Sequence, residues 1–119
     1  MPEHAWVHGF PGAVTVTDAA GVIIEMNEEA LEAFRKEGGA KLLGTHVLDC
    51  HPEPSRTRLE AMMTGRTKNV YTIEKGGKKK LIYQTPWFKE GRYAGFVELS
   101  LEIPFDMPHF VRDDTTAPQ

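Results

Sequence analysis

Cysteine is almost missing from this sequence: its 119 residues contain one, Cys50. A single thiol excludes an internal disulfide framework and suits a reducing compartment. An excess of positive charge is missing too. Fourteen Lys and Arg stand against seventeen Asp and Glu, a formal net charge of −3. Phosphate backbones call for a basic face, so nucleic acid is not an expected partner. No apolar run approaches the roughly 20 residues that cross a bilayer. The opening MPEHAWVHGF lacks the basic stretch and apolar core of a secretory signal. No membrane partner is expected, and the expected location is the cytoplasm. Motifs that carry chemistry by themselves are equally scarce. There is no CxxC, no CxxCH for covalent haem, no HExxH, no Walker loop and no Ser-centred nucleophile elbow. The residues therefore do not read as an enzyme.

What the sequence does have is period. AVTVTD alternates Val14 and Val16 with Thr15 and Thr17, and VIIEMN follows a turn at Gly21, so the two read as a hairpin. Asn27 suits a helix N-cap, with Glu28 and Glu29 in the first turn where the dipole favours anions. Ala30, Leu31 and Phe34 give that helix a short apolar stripe, ended by Gly38 or Gly39. KLLG reads as another short turn closed by Gly44. Pro54 fits the first turn of a further helix, on which Leu59, Met62 and Met63 share a face and which Gly65 stops. Then the period becomes two. NVYTIEK, KKKLIYQTPWFK and YAGFVELSLEI read as three strands joined at Gly76-Gly77 and Gly91. On the second, Leu81, Tyr83, Thr85 and Trp87 share a face. On the last, Val97, Leu99, Leu101 and Ile103 form a buried face opposite a wet one of Glu98, Ser100 and Glu102.

One domain fits this length, with roughly two-thirds of the unfolded surface buried. We divide the chain into an N-terminal cap or flexible segment (1–12), a folded domain (13–103) and a tail (104–119) with one docked turn around Phe105 to Phe110. Strands in two groups around a helical middle imply an α+β fold: a five-stranded antiparallel sheet with short helices packed on one face.

That order, with residues at its joints, resembles the PAS domain from about Phe10 to Ile103. DAAGVIIEMNEEALEAF is similar to the PAS opening hairpin and first helix, LLGTHVLD to its short-helix segment, and GRYAGFVELSLEI to its final strand. More narrowly, LLGTHVLDCHPEPSRTRLEAM followed by EGRYAGFVELSLEI resembles the PAS-like segment of a bacterial hemerythrin-associated family of unknown function, which carries a Cys-His-Pro at the same joint. The chain has no room for the hemerythrin part. The resemblance implies sensing of a gas, redox state or metabolite, and signal transduction through a homodimer or a partner protein. It leaves the cofactor unknown, with haem and noncovalently held flavin both open and neither required by the sequence. Covalent flavin photochemistry is not implied, because the residue three past Gly44 is Val47, and Cys50 comes six after it. A signalling helix is not apparent in the tail, so the domain is expected to act on a partner or to be part of something longer.

The resemblance places a ligand pocket between the inner sheet face and the helices. Its expected lining is Met26, Phe34, Leu43, Leu59, Met63, Tyr83, Thr85, Val97 and Leu99, with Tyr83 and Thr85 as polar contacts, joined by Cys50 and His51. The same residues also read as plain core. Cys50 and His51 admit three readings: packing at a helix entrance, ligation of a metal or haem, and a reactive thiol with its pKa lowered by a helix N-terminus. Neighbours in sequence do not easily both face one ion, so a metal would need ligands from elsewhere. Three functions follow: a sensor of a small molecule or cofactor, a cofactor-free dimerisation module, and a small thiol-dependent enzyme using Cys50. Lys78, Lys79 and Lys80 read as a solvated hairpin tip offset by Glu74.

Overall fold

A computed structural model describes residues 5–113. A short helix α1 (Ala5–Gly9) precedes the hairpin β1 (Ala13–Thr17) and β2 (Ile23–Met26). Helix α2 (Glu28–Ala33) leads into 3₁₀ turns at Arg35–Glu37, Gly39–Leu42 and Val47–Cys50, then helix α3 (Ser55–Gly65). Strands β3 (Asn69–Lys75), β4 (Lys78–Lys89) and β5 (Arg92–Ile103) complete one antiparallel sheet in the order β2-β1-β5-β4-β3. This is the five-stranded α+β architecture that the pattern implies.

Asn27 joins the two halves of the N-terminal region. It ends β2 in an extended conformation and caps α2. Its Oδ1 accepts from the amides of Ala30 (3.0 Å) and Val14 (2.9 Å), while its Nδ2 donates to the carbonyls of Gly12 (2.7 Å) and Val7 (2.9 Å). The side chain is fully buried. A buried amide survives only when its donors and acceptors are matched, and here they are, by groups on α1, at the entry to β1 and on α2.

The opposite end of β1 is closed by Thr17. Its carbonyl accepts from Trp87 Nε1 (2.9 Å) and its Oγ1 accepts from the Phe96 amide (3.1 Å). Gly95 passes so near that carbonyl, at φ +146°, that a β-carbon there would collide with backbone. Only glycine fits both the torsion and the approach.

The register decides which side chains face the helices. Gln84 pairs with Glu98, Glu98 with Thr15, and Thr15 with Met26, so this row lies on one face. Tyr83 pairs with Leu99 and Leu99 with Val14, and Thr85 pairs with Val97, so these rows lie on the other. The helices cover the Gln84–Glu98–Thr15 face. The apolar face of β5 is therefore the outer one, which corrects the expectation that it turns toward the helices. Alternation groups residues by face but does not say which face the connections cross. The outer face is only half-buried, and Phe10 and Leu101 close over Gly12 at one corner of it.

Smaller differences are local. Helix α3 includes Gly65 and ends with Arg66 in the left-handed conformation. Residues 104–113 carry no helix or strand, and Phe105 and Phe110 are exposed, so there is no docked turn. Glu74 stands opposite Lys79, and Lys78 approaches Glu102 at 3.7 Å, as a solvated hairpin tip would have it. Residues 1–4 of the proposed cap and 114–119 of the tail lie outside the described residues.

Asn27→Ala would strip partners from two amides and two carbonyls and remove the α2 cap. The expected cost is on the order of 3 kcal/mol. It should appear in urea unfolding as a lower midpoint at unchanged slope; an unmoved midpoint would refute the role of this side chain.

Candidate functional site

The space between sheet and helices has two connected parts. The inner part is an apolar chamber of about 40 Å³, walled by Ile23, Met26, Phe34, Leu42, Val47, Leu59, Met63 and Phe96. The outer part is a cleft of about 490 Å³, bounded by Phe34, His51, Ser55, Arg58, Leu59, Met62, Asn69, Tyr71, Gln84 and Glu98. Phe34, His51, Leu59, Gln84 and Glu98 border both. The chamber has room for about one small group, whereas the cleft lies in the range of roughly 300–1,000 Å³ typical of small-molecule sites.

Of the expected lining, Met26, Phe34, Cys50, His51, Leu59 and Met63 border the chamber, and so does Val97, between Phe96 and Glu98 on β5, although its row belongs to the other sheet face. The rest are placed elsewhere. Leu43 is exposed, and its neighbour Leu42 takes the inward position. Tyr83, Thr85 and Leu99 belong to the rows of the opposite sheet face, for the reason of register given above. The polar contacts come instead from Gln84, Glu98, Thr15, Arg58, Asn69 and Tyr71. Gln84 and Glu98 alternate with Tyr83, Thr85, Val97 and Leu99 along their strands, a pattern that reads in the sequence as a wet face.

These polar groups form a directed chain across three strands. Glu98 as a carboxylate can only accept, so Gln84 turns its Nε2 toward Glu98 Oε2 (3.0 Å). That leaves the Gln84 Oε1 to accept from Asn69 Nδ2 (3.1 Å).

Cys50 borders the chamber, and His51 borders both chamber and cleft. The 3₁₀ turn Val47–Cys50 is capped by His46, whose Nδ1 accepts from the Leu48 amide at 3.2 Å. Arg56 on α3 ties that turn to the helix by donating to the Leu48 carbonyl at 3.0 Å. The Cys50 Sγ and the His51 Nδ1 both reach the Val47 carbonyl, at 3.2 Å and 2.8 Å, and lie 3.6 Å from each other. A carbonyl only accepts, so His51 carries a proton on Nδ1, and in the neutral ring Nε2 is left as an acceptor. Adjacent in sequence, the two side chains share one backbone acceptor rather than forming a nucleophile and base. Among the described residues no three His, Cys, Asp or Glu side chains gather to hold a metal ion. Burial pushes the Cys50 thiol up, and Glu98 adds to the effect. Burial also raises the Tyr71 phenol, again with help from Glu98, while Arg58 opposes it.

No protein-family model matches the sequence. No curated protein matches it either. Solved structures do. A C-terminal domain from Streptococcus mutans is 16% identical with a TM-score of 0.67, over 81% of this chain and 78% of that one. The PAS domain of Bordetella pertussis BvgS is 20% identical with a TM-score of 0.59, over 82% of this chain and 81% of that one. The Aer2 receptor from Vibrio cholerae, described as a dual PAS-haem oxygen sensor, is 15% identical with a TM-score of 0.58, over 82% of this chain and 99% of that one. The fold is thus the PAS fold.

A thiol held protonated alkylates slowly. Cys50 in the folded protein should react with iodoacetamide at neutral pH more slowly than free cysteine, and speed up as pH rises past the ordinary thiol range. Reaction faster than free cysteine would reinstate a reactive thiol.

Proposed function

We propose that this chain is a sensory module that holds a small molecule in the cleft between the sheet and helices α2 and α3 and relays its presence through the outer sheet face. The observation that carries the reading is the cleft itself: about 490 Å³, with an apolar chamber behind it and polar groups gathered at their common border. Solved relatives in fold include the sensor region of a sensor histidine kinase and a receptor that senses oxygen, which supports a sensory role over a purely structural one. Against a thiol-dependent enzyme stand the raised Cys50 thiol and a His51 Nδ1 engaged by backbone. The Cys50-His51-Pro52 joint is the feature that would place the chain in the narrower hemerythrin-associated group.

The relay needs only one strand. β5 presents Glu98 to the cleft and Leu99 to the far side, where Leu99 meets Val14 and Tyr83. A ligand that shifts β5 at Glu98 moves the outer row with it. It biases signalling only if it binds one arrangement of that strand more tightly than another. The half-exposed apolar outer face is the surface on which a second copy would sit, making the module a homodimer that acts on a signalling partner.

Two measurements test this. Freshly purified protein should release a small molecule on solvent extraction, detected by mass spectrometry, with an absorption spectrum deciding between a haem, a flavin and a colourless metabolite. Leu59→Trp, which fills the border between chamber and cleft, should abolish that co-purification; an extract as empty in wild type as in the variant favours the cofactor-free module. Leu99→Glu should convert a dimer to monomer in sedimentation velocity while thermal unfolding stays cooperative. An unaltered dimer would move the interface elsewhere.

A further inference from the structure

The cleft is uneven in its hydrogen-bonding character, and the unevenness specifies a ligand. The Asn69–Gln84–Glu98 chain runs from donor to acceptor and ends on a carboxylate. Among the described residues, Gln84 supplies the one side-chain hydrogen bond to that carboxylate, on Oε2, and no Lys or Arg pairs with it. Glu98 borders a cleft whose other polar lining is His51, Ser55, Arg58, Asn69, Tyr71 and Gln84, and among the described residues only Gln84 is hydrogen-bonded to the carboxylate. A half-buried carboxylate is stabilised by a charged or multiply hydrogen-bonding donor, and among the described residues its one side-chain donor is the Gln84 Nε2.

We infer that Glu98 is the recognition residue for a ligand with a nitrogen donor head, an amidinium, ammonium or amino-heteroaromatic group, carried on a flat apolar body. This rests on the cleft being a ligand site and goes further by naming the chemistry. The donor head sits against Glu98, and the body lies along Phe34, Leu59 and Met62, which wall the same cleft. Arg58 is the opposing charge. It lies on α3 at the rim, exposed, and forms no ion pair among the described residues. Solvent screens its charge more effectively than that of Glu98, so the carboxylate decides the sign of the ligand and Arg58 weakens the preference.

The test uses benzamidine, benzamide and benzoate, three probes of one shape that differ in charge and donor count. Each is titrated into nitrogen-15-labelled protein while the amide resonances of Tyr71, Gln84 and Glu98 are followed. Benzamidine should bind saturably there, about tenfold or more tighter than benzamide, as a charge-assisted pair is worth. Benzoate should bind more weakly still. Glu98→Gln keeps the shape and the bond from Gln84 and should erase the preference for benzamidine. Arg58→Gln should leave benzamidine binding unchanged or tighter, which separates a specific role of Glu98 from a general loss of structure. Benzoate or benzamide binding as tightly as benzamidine, or a preference that survives Glu98→Gln, overturns the donor-head assignment and leaves the cleft as a ligand site of other chemistry. Silence of those resonances toward all three probes also overturns it. The extraction comparison between wild type and Leu59→Trp then decides separately whether the cleft holds anything.

Discussion

One buried amide organises the N-terminal half of this fold. Asn27 has no apolar alternative: a residue of the same shape without its donors and acceptors would leave four backbone groups on α1, β1 and α2 without partners in a dry interior. Because its contacts are spread over α1, the entry to β1 and α2, the side chain sets where α2 begins, how β1 is entered and where α1 rests. The position of Phe34 follows, since it lies at the C-terminal end of a helix only six residues long. Phe34 in turn forms the wall shared by the chamber and the cleft. The site therefore inherits its shape from a capping interaction some distance from it in sequence.

The far end of β1 plays the complementary role. Thr17 accepts from Trp87 and from the Phe96 amide, while Gly95 allows the backbones to meet. This fixes β5 against β1 next to Phe96, which lines the chamber, and Glu98, which borders chamber and cleft. Between the two anchors, β5 is a single layer with a polar row toward the helices and an apolar row away from them. In a sheet one residue thick, the two rows cannot move independently. That is the physical basis for linking cleft to outer surface without a separate transmission element.

Much of the fold is legible in the sequence because local rules agree there. Asn27 before two glutamates marks a helix start, the period of two from Asn69 onward marks strands, and Gly76-Gly77 marks a hairpin turn. The face of the sheet is not legible in the same way. Alternation shows that Val97, Leu99 and Leu101 travel together, yet the direction in which the connecting helices cross is a property of the whole chain. The choice of Tyr83, Thr85 and Leu99 for the pocket fails on that one binary question. The polar residues that replace them were hidden for a related reason. Glu98 reads as a solvent residue by type, and only the register places it beside Gln84 and over the cleft. The Cys50-His51 pair shows the converse. Its composition suggests chemistry, but the turn that holds it directs both side chains to one carbonyl.

The central claim is that the cleft is occupied in the working protein, and one comparison addresses it most directly. Amide spectra are recorded on freshly purified protein, on the same protein unfolded, stripped of small molecules and refolded, and after the extract is added back. The account predicts that resonances of Phe34, His51, Gln84 and Glu98 shift on stripping and return on addition, with those of Leu99 and Leu101 following. Superimposable spectra in all three states would contradict it, and would leave a PAS fold that signals through contact alone.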